Sequence, residues 1–302
     1  MKQLKIFDRK SKSFFIEKIY GQKTLVWLYK KSFFSWLVRF LVSCFPFVSQ
    51  LYGLWNKSSF SKKKIKPFIR EFEIDSSVFL KAESEFSSFN DFFTRKLKPS
   101  SRPLAAKEAV IPADGRYLVF PSLKHTNQDK GIQSFFVKDK SFNLKSFLKD
   151  PVLAEKYASG SMLIARLAPV DCHRFYFPFD CVPQKSKLIN GCLYSVNPLA
   201  LKKSLKNFLE NKRVLTRLKT TNFKEVLCLE VGATNVGSIV QTYEPEKAYK
   251  KGDEKGYFEL GGSTIVFLFE ENTIQFDQDL IDNSQKGIET YACIGDLLGS
   301  SC

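Results

Sequence analysis

From residue 160 to residue 270 the chain repeats one pattern, short apolar runs broken by turn residues. GSMLIARLAP (160–169), KRVLTRLKT (212–220), KEVLCLEVGA (224–233), VGSIVQTYE (236–244) and the run 264–270 all have alternating or compact apolar character, which predicts strands. Helical spacing occurs in three places. DSSVFLKAESEFSSFNDFFTRKL (75–97) has serine starts and is stopped by Pro99 and Pro103. SFNLKSFLKD (141–150) offers Ser141 as a cap and puts Leu144, Phe147 and Leu148 on one face, and PLALKKSLKNFLE (198–210) does the same with Leu201, Leu205, Phe208 and Leu209. Residues 57–67 read as a charged linker ending at Pro67. The class expected is α+β, a mixed β-sheet or barrel-like core carrying several helices.

The pattern before residue 67 is different. TLVWLYKKSFFSWLVRFLVSCFPFVSQLYGLW (24–55) is apolar and aromatic, but Ser43, Pro46, Ser49, Gln50 and Gly53 interrupt its longest uncharged run, Phe40 to Asn56. A membrane-spanning helix needs about 20 mostly apolar residues, so this stretch is marginal. Trp27, Trp36 and Trp55 among Phe and Leu, flanked by lysines, suit an amphipathic segment lying at a membrane surface. Charge sharpens that reading. Of the net charge of +16, the first 70 residues carry 16 Lys and Arg against Asp8 and Glu17, leaving 31 bases and 29 acids for the rest. A nearly neutral body with a basic, aromatic N-terminus points to an anionic lipid surface and away from nucleic acid. Two parts are expected: a membrane-associating region and linker, 1–66, and a globular domain, 67–302. Seven cysteines without a CxxC pair argue against structural zinc or a disulfide framework, and no metal is expected.

Candidate chemistry is sparse, because the sequence holds two histidines. His125 lies in a polar stretch, LKHTNQDKG. His173 lies in RLAPVDCHRFYFP (166–178), beside Asp171, Arg174 and Tyr176. Asp114 sits in IPADGRY, where Asp-Gly by itself makes a turn. Before the last core strand stand Gly261, Gly262, Ser263 and Thr264, flexible backbone and hydroxyls where a plain turn would do. Asp114, His173 and Ser263 together are the elements of a carboxylate–imidazole–hydroxyl set.

The segments FNDFFTRKLKPSSRPL (89–104), PADGRY (112–117), RLAPVDCHRFYFP, GCLYSVNPLAL (191–201), VGATNVGSI (231–239) and KGDEKGYFELGGSTIVFLFE (251–270), with IGDLLG (294–299) near the end, occur in the order found in phosphatidylserine decarboxylases, and the chain resembles that family. The resemblance implies that the Gly262–Ser263 bond is cut by the protein itself, giving chains 1–262 and 263–302. It implies that Ser263 becomes a pyruvoyl group, with His173 as base oriented by Asp114 and with Gly261, Thr264 and Tyr176 in support. That carbonyl would take up the amine of phosphatidylserine and accept the electrons released with carbon dioxide, giving phosphatidylethanolamine.

Relatives often carry a second histidine where this chain has Tyr176, a tyrosine at Cys172, an acid at Lys212 and a glycine at Asp139. Expected partners are phosphatidylserine in an anionic leaflet and the enzyme's own small chain, with peripheral attachment at the cytoplasmic face of the cell membrane and self-association left open. The alternatives are the same chemistry on another serine-containing lipid or a soluble amino-acid derivative, or a lipid-binding protein without catalysis.

Overall fold

The computed structural model describes residues 4–21, 27, 32–35, 38, 46–124, 143–194, 209–232, 238–261 and 263–302, with 46–50 described in backbone only. His125, Trp36, Asp139, Gly262 and most of the helix expected over 198–210 lie outside these residues.

Ten strands build the main sheet. From edge to edge they run Ser13–Ile16, Lys5–Asp8, Glu289–Ala292, Gly115–Phe120, Ser161–Leu167, Ser263–Phe269, Glu225–Gly232, Arg213–Lys219 and Val182–Pro183, and Lys187–Ile189 also pairs with Arg213–Lys219. The pairing of Lys5–Asp8 with Glu289–Ala292 is parallel, and its neighbours are antiparallel, so the sheet is mixed. Among the described residues the pairing runs as an open path from Ser13–Ile16 to Val182–Pro183.

Alternation along the strands separates two cores. Leu163, Ala165 and Leu167, with Ile265, Phe267 and Phe269, face one cluster that includes Phe175, Phe177 and Phe258. Met162 and Ile164, with Val266, Leu268, Leu227 and Leu229, face another cluster containing Phe147, Leu148 and Tyr157. Burial on both faces explains the unbroken apolar run Ile265–Phe269 within the strand Ser263–Phe269. Each fully buried Leu, Ile or Phe in it adds about 1.5–3 kcal/mol.

Helices Leu144–Leu148 and Pro151–Lys156 cover the second face. The cap of the first is Asn143, whose side chain accepts from the Ser146 amide, and not the expected Ser141. Asp150 caps the second, accepting from the Val152 and Leu153 amides ahead of a proline that has no N–H to satisfy. The helical stretch expected over 75–97 is three short pieces, two 3₁₀ turns at Ser76–Val78 and Glu83–Glu85 and a helix at Phe89–Phe93.

Two expectations for the N-terminal part need correction. The supposed linker is ordered structure: a 3₁₀ turn, Ser59–Lys64, runs into the helix Ile65–Phe72. The lysine run masked an apolar stripe of Ile65, Phe68 and Ile69, which packs with Phe79, Phe86, Phe89, Phe92 and Phe93 into a third core. Nor is 1–66 a region apart from the domain. Lys5–Asp8 and Ser13–Ile16 are main-sheet strands, and Ile6 is fully buried. Short strands with a single inward apolar residue gave too weak an alternation to be seen.

Among the described residues no helix is long and apolar enough to cross a membrane. The helix Pro46–Lys57 is 12 residues long and exposes Leu51, Leu54 and Trp55.

Candidate active site

Ser263 opens its strand opposite Leu167 on one side and Gly232 on the other, and it is fully buried. The residues before it are tied to the third core. Leu260 packs there and its amide donates to Asn90 Oδ1 at 3.1 Å, while Glu259 pairs with Lys57 at 2.8 Å. Gly261 follows with φ +147°, a conformation that side chains rarely adopt, so glycine is required there. The flexible pair noted in the sequence therefore connects a firmly held segment to a firmly held strand.

His173 meets Ser263 from across the site. It ends the loop after Ser161–Leu167 and enters the short strand Arg174–Tyr176, and its carbonyl accepts from the Phe258 amide at 2.9 Å. Its Nδ1 lies 3.0 Å from Ser263 Oγ and its Nε2 lies 3.0 Å from the Ala168 carbonyl oxygen. A carbonyl can only accept, so Nε2 carries the proton and Nδ1 presents a lone pair to the serine hydroxyl. Phe93 stacks on the ring, with centroids 3.8 Å apart and planes 24° apart. The imidazole has no solvent exposure, and burial drives its pKa down to about 3. It is therefore held neutral, with the Nδ1 lone pair unprotonated and facing the serine.

The Ala168 carbonyl is itself fixed. Residues 168–171 form a turn in which the Asp171 amide donates to Ala168 O at 2.9 Å and Asp171 Oδ2 accepts from the Ala168 amide at 2.6 Å. Arg95 holds the turn from outside, donating to the Val170 carbonyl at 2.7 Å. Burial pushes the Asp171 carboxyl up to about 6, against the pull of the Arg116 guanidinium that pairs with it.

Asp114 does not orient His173 as expected. Its two oxygens accept from Arg102 Nε at 2.9 Å and Nη2 at 2.7 Å, and Oδ1 also accepts from the Ile294 amide at 2.8 Å. The bidentate guanidinium uses the carboxylate in place of the imidazole. Tyr176 projects from its strand opposite to the buried Phe175, and burial raises its phenol above the usual range. Thr264 is buried on the face away from Ser263, in register with Arg166. Ala168 and Phe93 gave no signal in the sequence, since one acts through its backbone and the other as one phenylalanine among 30.

A hydroxyl facing a neutral, unprotonated nitrogen, two residues after a glycine in a restricted conformation, has the chemistry to attack the carbonyl on its own N-terminal side. These residues fit a carbonyl group made from Ser263.

A family model described as phosphatidylserine decarboxylase matches residues 89–299. Among similar proteins, the phosphatidylserine decarboxylase proenzyme of Chlamydia caviae is 49% identical over 303 residues, covering 100% of this chain and 99% of that protein. The proenzyme of the same name from Chlamydia pneumoniae is 47% identical, covering 100% and 98%, and that of Clostridium tetani is 44% identical over 298 residues, covering 98% of each.

Two outcomes are expected of this geometry. In the Ser263→Ala protein, ¹⁵N NMR of His173 should show a neutral Nε2–H ring with no titration between pH 8 and pH 5, since its pKa is held near 3. A midpoint near the ordinary value of about 6.5 would contradict the buried, carbonyl-locked imidazole. Tyr176→Phe should self-cleave within about twofold of the parent rate, as a phenol with a pKa of about 10 or more is a poor base. Loss of cleavage in that variant, followed on a denaturing gel, would move the base from His173.

Proposed function

The chain belongs to the phosphatidylserine decarboxylase family, and from that premise we propose how its own residues prepare and serve the reaction. The activity is removal of carbon dioxide from the serine headgroup of phosphatidylserine, which leaves phosphatidylethanolamine. The observation that carries the reading is the 3.0 Å contact between Ser263 Oγ and a His173 Nδ1 whose lone pair is fixed by the Ala168 carbonyl.

The first act is self-cleavage. Ser263 Oγ gives its proton to His173 Nδ1 and attacks the Gly262 carbonyl carbon. The Gly262–Ser263 C–N bond breaks and the proton passes to the departing amine, leaving Gly262 esterified to Ser263 Oγ. Removal of the Ser263 Cα proton expels Gly262 as a carboxylate and leaves dehydroalanine at position 263. Addition of water and loss of ammonia then give the pyruvoyl group at the start of a small chain, 263–302.

A pyruvoyl carbonyl supplies an acceptor for the substrate amine and for the electron pair left as carbon dioxide departs. The protein's part is to hold that position between Leu167 and Gly232, under a ring stacked by Phe93, where bulk water is excluded. After cleavage the imidazole is free to move a proton at the same atom. Asp114 serves through Arg102 and the Ile294 amide, tying the small chain's far end to the large chain beside the site.

Substrate arrives from a bilayer. Leu51, Leu54 and Trp55 are exposed on one helix, Phe60 is 76% exposed, and Lys57, Lys62 and Lys63 lie beside them. The same helix reaches Glu259, four residues before Ser263, through Lys57. Peripheral attachment to an anionic leaflet by this surface places the site next to its substrate.

Ser263→Ala removes the nucleophile with little change in size. It should remain one full-length chain with no decarboxylation of phosphatidylserine vesicles, while the parent gives two chains by mass spectrometry, split at 262/263. A 40-residue fragment from Ser263→Ala would refute Ser263 as precursor. For the membrane surface, the double variant Leu54→Ser, Trp55→Ser should self-cleave normally. Its binding to anionic vesicles should weaken about tenfold or more, because two apolar side chains worth roughly 1.5–3 kcal/mol each no longer insert. Vesicle sedimentation measures it, and undiminished binding would remove this helix from the contact.

A further inference from the structure

We infer that Glu17, carried by the N-terminal hairpin, is a positioning residue for self-cleavage, acting through Arg116 and Asp171 on the turn that holds His173. The inference rests on the reading of His173 as the proton acceptor for Ser263.

The contacts form one continuous line. Glu17 follows the hairpin of Lys5–Asp8 and Ser13–Ile16, and its amide closes that hairpin on the Leu4 carbonyl at 3.0 Å. Its carboxylate is buried, with Oε1 2.6 Å from Arg116 Nε and Oε2 2.9 Å from Arg166 Nη2. Arg116 Nη1 pairs in turn with Asp171 Oδ2, the atom that accepts from the Ala168 amide. The Ala168 carbonyl then fixes the His173 Nε2–H and so aims Nδ1 at Ser263.

Two features make Glu17 the controlling end of this line. Arg116 and Arg166 face each other directly across adjacent antiparallel strands, and like charges so placed repel. Among the described residues Glu17 is the carboxylate in ion-pair contact with both guanidiniums. Burial pushes its carboxyl up, but Arg166 and Arg116 more than offset this and hold it below the usual range, so it stays ionised. The second feature is the rigid plane of the guanidinium. Glu17 draws the Nε side of Arg116 to itself by charge, at 2.6 Å but outside hydrogen-bond geometry, and Nη1 on the other side of the same plane meets Asp171. Without Glu17 the Arg116 plane turns away from Arg166, and Asp171 loses the orientation that clamps Ala168.

Glu289 provides the control. It is buried, and it pairs with Arg166 at 2.6 Å without touching Arg116. Removing its charge takes a carboxylate from the same cluster and leaves the line to His173 intact.

The experiment uses full-length protein made by cell-free synthesis, with the uncut fraction followed in time on a denaturing gel and thermal melting measured in the Ser263→Ala background. Glu17→Gln should slow self-cleavage roughly three- to thirtyfold, the range of effects for substitutions along a coupled network. Glu289→Gln should lower the melting temperature comparably and cleave within about twofold of the parent. In the Ser263→Ala background, Glu17→Gln should also move the His173 ¹⁵N shifts toward a mixture of tautomers. Equal cleavage rates for Glu17→Gln and Glu289→Gln, or an unchanged His173 spectrum, would overturn the inference. Should Glu17→Gln fail to fold, Glu17→Asp, shorter by one methylene, takes its place with the same two readouts. His173→Gln separates the two levels. If it self-cleaves normally, the reading of the base fails. If it is uncut while Glu17→Gln cleaves like Glu289→Gln, the positioning role alone fails.

Discussion

A hydrogen bond from one imidazole nitrogen to a backbone carbonyl decides what the site can do. Because Ala168 offers an acceptor and nothing else, His173 must carry its proton on Nε2, and Nδ1 must face Ser263 as an acceptor. Had a carboxylate stood there, it would also have favoured a protonated, positively charged ring. The carbonyl gives orientation without that charge. With the ring dry and stacked on Phe93, the result is a neutral base with a fixed direction.

Around this uncharged centre the protein buries a good deal of charge. Arg116, Arg166, Glu17, Asp171 and Glu289 are all nearly inaccessible, and Lys255 and Glu230 form a separate buried pair at 2.7 Å that also engages Thr216 and Gln241. Such pairs add little net stability compared with apolar side chains of the same volume, because desolvation consumes most of the Coulomb gain. What they add is direction. Apolar packing tolerates small rotations, whereas a guanidinium between two carboxylates does not. The Ala168–Asp171 turn therefore has ionic support, and the two apolar cores on either side of the sheet supply the stability.

The sequence made much of the centre legible and little of its support. Strands at 160–169, 212–220 and 224–233 were visible because burial on both faces leaves compact apolar runs, as found at Ser161–Leu167, Arg213–Lys219 and Glu225–Gly232. The hairpin at 5–16 was not, since an edge strand with one inward side chain has no pattern to detect. Ser263 and His173 were picked out and stand 3.0 Å apart. The partner at the other imidazole nitrogen is a main-chain oxygen and not the expected carboxylate. Spacing cannot reveal such a partner. The basic N-terminal stretch does hold a signal for the support: Glu17 is an acid among Phe14, Phe15, Ile16 and Ile19, and an acid buried in an apolar run has to find a cation.

The strand Ser263–Phe269 lies in the interior of the main sheet, paired along its whole length with Ser161–Leu167 and from Ser263 to Leu268 with Glu225–Gly232. In the proposed two-chain form this makes folding a one-way history. The intact chain brings the strand to its neighbours by closing a loop, an intramolecular search whose entropy grows slowly with length. Once the link at 262/263 is gone, the same encounter is bimolecular, and the effective concentration that the tether provided is lost. The precursor carries the instructions for assembly and the mature enzyme carries only its outcome. Its lifetime is then governed by how slowly the central strand escapes, a matter of kinetics and not of equilibrium.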